Sequence, residues 1–316
     1  MHEILSNEQM AGADRLTIEA GTDSFSLMKA AGKAVADIAF NHYPDKDFLV
    51  LCGPGNNGGD GYVAAQYLKQ NTCRVSVASL TPVNKLSGDA ERAYKEFGDK
   101  VFQLEDVLED SFDMNNVVII DALFGTGLSR KLEEPVTSVL QKISAHKSAC
   151  VCVDVPSGCD GDTGAVYPHT LKADHTVTFF RKKLAHVLEP ARSQCGQIHL
   201  YQIGIDSQCL DQIGFSAYEN SPSSWLHKFP QAGDNTHKYK KGHAVVYGGD
   251  KMTGAARLVA ESCMRMGAGL CTLACKPEAR DVYRSSLPAH IIVRDEPLWN
   301  DPRVSARVIG PGAGQD

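Results

Sequence analysis

Six short apolar runs punctuate the first two thirds of the chain: "FLVLCG" (48–53), "RVSVASL" (74–80), "NVVIIDAL" (116–123), "ACVCVDVP" (149–156), "HTVTFF" (175–180) and "QIHLYQIGI" (197–205). The first four are nearly continuous and are separated by helix-like segments, whereas strands with one wet face would alternate apolar and polar residues. This pattern predicts a parallel sheet covered by helices on both faces, a doubly wound α/β domain. Two helices are expected upstream. "SNEQMAGADRLTIEA" starts at a plausible cap, Ser6, and "SLMKAAGKAVADIAF" follows Asp23 and Ser24.

The 316 residues suggest two domains, at roughly 150 residues each. The first is expected over 1–218. The stretch "ENSPSSWLHKFPQAGDNT" (219–236) has turn formers and no periodicity and reads as a linker. A second unit is expected over 237–316, with strands in "GHAVVYGGD", "GLCTLAC", "HIIVRD" and "RVIGPGAG" and a helix in "TGAARLVAESCMRMGA". No helix follows the last of these strands to cover it, so the second domain is expected to be truncated. The formal net charge of -6 argues against a nucleic-acid partner. Ten cysteines without a CxxC pair read as small core residues of a reducing cytoplasm. The start is mixed and acidic, and no segment approaches about 18 apolar residues. A cytoplasmic protein without a membrane span is expected.

The loop "GPGNNGGDG" (53–61) joins the first apolar run to the helix-like "YVAAQYLKQ". Gly53, Gly55 and Gly58 meet the GxGxxG spacing between strand and helix, where glycines let backbone amides approach a phosphate at a helix N-terminus. No Lys-Ser or Lys-Thr follows, as a P-loop requires, and "VASLTPV" stands where a redox dinucleotide fold carries its ribose-binding acid. A phosphate-bearing ligand is therefore expected, but not a standard redox cofactor. Asn56, Asn57 and Asp60 supply oxygens beyond those needs; the plainer alternative makes Asp60 a helix cap and the asparagines turn residues.

The third run ends in "DALFGTGLSRKL", where Asp121 precedes Gly125, Thr126 and Gly127 and then Arg130 and Lys131, the pattern of a second anion cradle. Its alternative is a strand-end turn followed by a solvated helix start. The fourth ends in "VDVPSGCDGDTG", with Asp154, Ser157, Asp160 and Asp162 close together but without the ligand order of an EF-hand. Carboxyl ends of neighbouring parallel strands face one crevice, so the three loops can share a site. Asn57, Asp121 and Ser157 offer hard oxygen ligands with a single negative charge, which suits a large monovalent cation better than Zn²⁺. Lys183 follows the fifth run in "TFFRKKLAHVLEP" and, beside Arg181 and Lys182, reads on its own as a surface lysine.

Taken together and in this order, "LM..AG", "GPGNNGGDG", "DALFGTG", "VDVPSG" with "DTG", and "TVTF" with a lysine after it resemble the NAD(P)H-hydrate epimerase family over nearly all of 1–218. The resemblance implies a Rossmann-like three-layer α/β/α domain that interconverts the R and S forms of hydrated NADH and NADPH (NADHX and NADPHX). It implies a small-molecule dinucleotide as substrate, bound by Asn56, Asn57, Gly58, Gly59 and Asp60, by Gly125, Thr126, Gly127, Leu128, Ser129, Arg130 and Lys131, and by Asp154. It implies K⁺ held by Asn57, Asp121 and Ser157, and a homodimer or higher homo-oligomer. Inverting the carbon that bears the hydroxyl needs proton transfer, which assigns Asp154 as acid/base and Lys183 as its helper. The family's acidic residue and Asn before Ala-Gly are replaced in "LMKAAG", which leaves that segment without an assigned role.

Residues 237–316 resemble the start of the ADP-dependent NAD(P)H-hydrate dehydratase domain, a ribokinase-like α/β fold, through "HKYKKGHAVVYGGD", "TGAARLVAESCMRMGAGL" and "GPGAG". The nucleotide-binding and catalytic loop of that family lies further along, so ADP, Mg²⁺ and dehydratase activity are expected only of a complete domain. Two other functions compete with the epimerase. A small-molecule kinase lacks its magnesium-binding and phosphate-clamping lysine motif in the first domain, and a non-catalytic dinucleotide sensor could use the same fold.

Overall fold

The strands of the first unit are β1 (Glu3–Leu5), β2 (Asp47–Cys52), β3 (Val75–Ser79), β4 (Val101–Gln103), β5 (Val117–Ala122), β6 (Cys150–Val153), β7 (His175–Phe179), β8 (Lys182–Lys183), β9 (Gln197–Tyr201) and β10 (Ala217–Tyr218). The computed structural model describes residues 2–314 other than 110, 111, 113, 115, 129, 232, 234 and 296. The chain divides into residues 1–224 and 225–316. Seven strands form a wholly parallel sheet in the order β4-β3-β2-β5-β6-β7-β9. Along β2, Phe48, Val50 and Cys52 enter one core and Leu49 and Leu51 the other. A strand turns alternate side chains to opposite faces, so burial of both faces requires the unbroken apolar run.

The helices of this unit are α1 (Asn7–Glu19), α2 (Ser24–His42), α3 (Asn56–Gln70), α4 (Gly88–Phe97), α5 (Val136–His146) and α6 (Cys209–Ile213), of which α1 and α6 pack together in a separate cluster. Residues of α2, α3 and α4 fill one core; Val136, Val139, Leu140 and Ile143 of α5, at helical spacing, fill the other. Ser6 caps α1 as its sequence suggests, its hydroxyl accepting from the Gln9 N–H at 3.2 Å while the Gln9 side chain accepts from the Ser6 N–H at 2.9 Å.

The strand order reverses between β2 and β5, so the connections leaving their carboxyl ends part at that point, the place where an open α/β sheet forms a crevice. The two loops run shoulder to shoulder. A Cβ on Gly53 would lie 1.8 Å from the Leu123 carbonyl oxygen, and one on Gly58 would lie 1.9 Å from that of Gly53. Two glycines of the GxGxxG pattern therefore serve backbone packing.

Four strands have no counterpart among the sequence expectations. β1 pairs in parallel with β8 and antiparallel with β10 to make a small side sheet, and β4 extends the main sheet. Each spans two or three residues, too few for a period of two to register. The final apolar run of this unit is strand only to Tyr201.

In the second unit, β11 (His243–Gly248), β12 (Leu270–Cys275), β13 (Ile291–Arg294) and β14 (Ala306–Val308) form a parallel sheet ordered β13-β12-β11-β14. The expected helix there is Thr253–Arg265, with Arg280–Ser286 after it. The stretch read as linker holds a short helix, Pro222–Trp225, and a 3-10 turn, Leu226–Lys228. All ten cysteines are unpaired thiols. Among the described residues, no helix is long and apolar enough to cross a membrane.

Candidate active site

At the carboxyl ends of β2, β5 and β6 lies a cavity of about 470 Å³. Its walls come from the three loops together with α1, α2 and the end of β7. Asp154 follows β6 in the left-handed region, at φ +65°, a backbone that Asp and Asn adopt at lower cost than other residues with a side chain. Its N–H is held by the Val177 carbonyl at 2.7 Å, and the Val155 N–H returns to Val153 at 2.9 Å. This turn presents the carboxylate to Lys183.

The Lys183 ammonium donates to Asp154 Oδ1 at 2.6 Å, to Thr178 Oγ1 at 2.9 Å and to the Phe179 carbonyl at 3.3 Å. Asp154 also accepts from the Thr178 hydroxyl at 3.0 Å and the Thr126 N–H at 3.2 Å. Lys183 is only 1% exposed, so the reading as a surface lysine is overturned. Its main chain lies in the side sheet as β8, which turns the side chain inward beneath the end of β7. Burial pushes the Asp154 carboxyl up, but the charge and hydrogen bond of Lys183 outweigh it and bring the carboxyl down to about 2. His186 Nδ1 accepts from the Lys183 N–H at 2.9 Å, so its Nε2–H donates to the Asp154 carbonyl at 2.8 Å. Burial, aided by Lys183, lowers this imidazole to about 4 and keeps it neutral.

The expected ligand residues are divided between the wall and its backing. Asn56, Asn57, Asp60, Gly125, Thr126, Gly127, Leu128 and Asp154 line the cavity, as does Lys183. Gly58 is packed on Gly53 and Gly59 on Met28, behind the wall. Arg130 and Lys131 are exposed and outside the lining, because the chain buries Leu128 and then leaves the crevice. Ser129 lies outside the described residues. Asp60 does not cap α3, whose cap is Gly55; it sits one turn in, and burial, then the charges of Asp154 and Asp14, push its carboxyl well above the usual range. Asp160 and Asp162 serve the chain itself. Asp160 accepts from the N–H groups of Asp162 and Thr163, and Asp162 from that of Asn7 at 2.7 Å.

Asp121 and Ser157 are fully buried beneath the Phe124–Gly125 loop. The Ser157 hydroxyl and N–H donate to Asp121 at 2.6 and 2.8 Å, and the Phe124 N–H donates to Ser157 Oγ at 2.9 Å. Burial raises the Asp121 carboxyl, and among the described residues no cationic side chain pairs with it. Asn57 packs over Gly125, and its amide Nδ2 is buried without a partner. A half-turn of that amide puts an oxygen in the same place. One uncompensated carboxylate, a hydroxyl and an amide form a donor set that fits a large hard cation better than a transition metal.

Asp14 of α1 and Met10, Leu27, Met28 and Ala31 also line the cavity. Sequence reasoning assigned them nothing, although "LMKAAG" contains three of them. Burial first, with the Asp154 charge adding and Lys183 opposing, pushes Asp14 up to about 6. A carboxyl raised in this way stabilises the fold fully below its unfolded value of 3.8 and loses that advantage as pH rises through about 6. Asp14→Asn is therefore expected to raise the thermal midpoint at pH 8, by about 1–3 kcal/mol in stability, and to leave it nearly unchanged at pH 4. Scanning calorimetry at the two pH values checks this. An equal shift at both would show that Asp14 is not perturbed.

Residues 24–185 match the family described as YjeF-related protein N-terminus, and residues 243–316 match the one described as NAD(P)H-hydrate dehydratase. The bifunctional NAD(P)H-hydrate repair enzyme of Escherichia coli is 34% identical over 93% of this chain and 58% of its own length. Those of Coxiella burnetii and Vibrio cholerae are 32% and 34% identical, over 66% and 64% of their lengths. The chain thus spans about three fifths to two thirds of these relatives. The expectation that it lacks dehydratase activity gains no support from the second match. A crystal structure of yeast ynu0, YNL200c, superposes with a TM-score of 0.55 at 24% identity, covering 69% of this chain and 97% of that one, and shares the fold. With over half of its length in that first match and relatives of one name on either side of it, the chain belongs to the YjeF-related family, the N-terminal family of the bifunctional NAD(P)H-hydrate repair enzymes.

Proposed function

We propose that the first unit is an NAD(P)H-hydrate epimerase that interconverts the R and S forms of NADHX and NADPHX. The buried Asp154–Lys183 pair at the cavity, 2.6 Å apart, is the observation that carries this reading. The relatives' name supplies the substrate class. The Lys183 ammonium donates a proton to the hydroxyl as the C–O bond breaks and water leaves. With its carboxyl held at about 2, Asp154 is no proton donor, so the acid/base role expected of it passes to Lys183, and its carboxylate stabilises the planar ring cation that remains. Water then adds to the opposite face and returns its proton to the Lys183 amine, so the net change is inversion alone.

Asp14, Asp60, Asp89 and Asp154 line the cavity, and among the described residues Lys183 is the one basic side chain there, so carboxyl groups outnumber cations where a substrate with phosphates would dock. K⁺ held by Asn57, Asp121 and Ser157 would offset that excess and fix the Phe124–Gly125 loop against α3. The phosphates would meet the free N–H groups at the start of α3. For the second unit, we propose a dehydratase fold with ADP and Mg²⁺ as its ligands.

The experiment is epimerisation itself. The purified R form of NADHX is supplied with KCl, or with a bulkier cation replacing potassium, and the S form is followed by chromatography. Potassium-dependent appearance of S is expected. No S above the spontaneous rate would overturn the epimerase, and equal rates with both cations would overturn the K⁺ site alone.

A further inference from the structure

Three imidazoles meet at the end of the sheet opposite the cavity. His175 opens β7, and His199 lies two residues beyond Gln197, the register partner of His175, so both rings project from the same face. His42, in the last turn of α2, covers that face. His175 Nδ1 and His199 Nε2 are 3.0 Å apart, and the His42 ring centroid lies 4.0 Å from that of His175. One nitrogen from each ring can be chosen so that all three lie within 4.8 Å of one another.

The Tyr43 ring packs on those of His42 and His175. Among the described residues no carboxylate hydrogen-bonds to any of the three rings, and the one bond between His175 and His199 leaves the remaining ring nitrogens unpaired. Burial lowers His175 and His199, and the neighbouring His42 lowers both further. Neutral imidazoles are ready metal ligands. Three nitrogen donors without a thiolate or carboxylate suit a borderline divalent ion, and three protein ligands plus an open fourth position is a standard zinc arrangement. The half-buried rings of β7 and β9 supply two ligands anchored in the sheet. His42 is exposed on a helix end and can swing the short distance needed to bring its nitrogen to about 2.0–2.1 Å from the ion.

We propose that His42, His175 and His199 form a Zn²⁺ site that ties the end of α2 to β7 and β9. The bond between His175 and His199 is exchanged for two metal bonds, and the ring proton shared between them moves to the other nitrogen of the ring that carried it, so that both imidazoles bind neutral. This inference does not rest on the epimerase reading, because the site lies at the amino ends of the strands whose carboxyl ends border the cavity.

The test uses the whole chain, stripped with a chelator and titrated with Zn²⁺ by calorimetry, and with Co²⁺ by visible absorption. One saturable equivalent is expected, with a rise in the thermal midpoint that the chelator reverses and a Co²⁺ spectrum without thiolate charge-transfer bands. His42→Ala changes an exposed residue and should fold normally; it is expected to abolish the one-to-one phase, as is His199→Gln. Absence of a one-to-one phase in the parent chain would overturn the site. So would its persistence in His42→Ala, or thiolate bands in the Co²⁺ spectrum.

Discussion

Asp154→Asn is expected to lower the rate of epimerisation by about 10²–10³-fold while leaving a folded protein. Asn is the substitution of choice because residue 154 sits at φ +65°, and Asn tolerates that backbone at least as well as Asp, whereas Ala would add strain. The amide oxygen can still accept from Lys183 and Thr178. The amide nitrogen would face the Thr126 N–H in place of the oxygen that now accepts from it at 3.2 Å, so a modest loss of stability accompanies the change. What the variant lacks is negative charge at the point where the ring cation develops. Single-turnover measurements with the R form of NADHX, alongside circular dichroism, separate the two effects. Turnover within a fewfold of the parent chain would remove Asp154 from the chemistry.

How far this site could be read from the sequence depended on whether its residues are local. The loops after β2, β5 and β6 are legible because each follows a strand whose unbroken apolar run marks it as buried on both faces, and parallel strands put all three loops at one end. Lys183 was not legible in the same way. Its neighbours Arg181 and Lys182 suggest a wet surface, but they pair with Glu3 and Glu219 at 2.8 Å, and these three-dimensional partners bind β8 into a side sheet of strands too short to show a period. Asp14 and His186 were missed for a related reason. A single acid on an amphipathic helix, or a histidine in a turn, carries no spacing signal, and its role appears only when burial and a charged neighbour shift it. The glycines answer to two demands at once: at Gly53 and Gly58 the spacing associated with phosphate also meets backbone contacts that a Cβ would block.

Lys183→Met is expected to destabilise the first unit by about 3–5 kcal/mol near neutral pH, the cost of leaving a buried charge without its partner. Methionine fills much of the space of the lysine stem, so the loss reports charge and hydrogen bonds more than a cavity. With the ammonium gone, burial is the leading influence on Asp154, and its carboxyl should rise from about 2 to above 3.8. The sign of the pH dependence follows. In the parent chain the depressed Asp154 carboxyl contributes stability that is present above 3.8 and lost as pH falls towards about 2. In the variant the raised carboxyl contributes a penalty that disappears when it protonates, so the gap between the two chains should be widest at pH 7–8 and narrow by pH 5. Asp154→Asn combined with Lys183→Met removes both charges and should be more stable at pH 8 than Lys183→Met alone. Urea unfolding of the four chains at pH 8 and pH 5 measures all of these quantities. Additive losses without pH dependence would mean that Asp154 and Lys183 do not share their charges in the folded protein, and the proton donor assigned to Lys183 would fall with them.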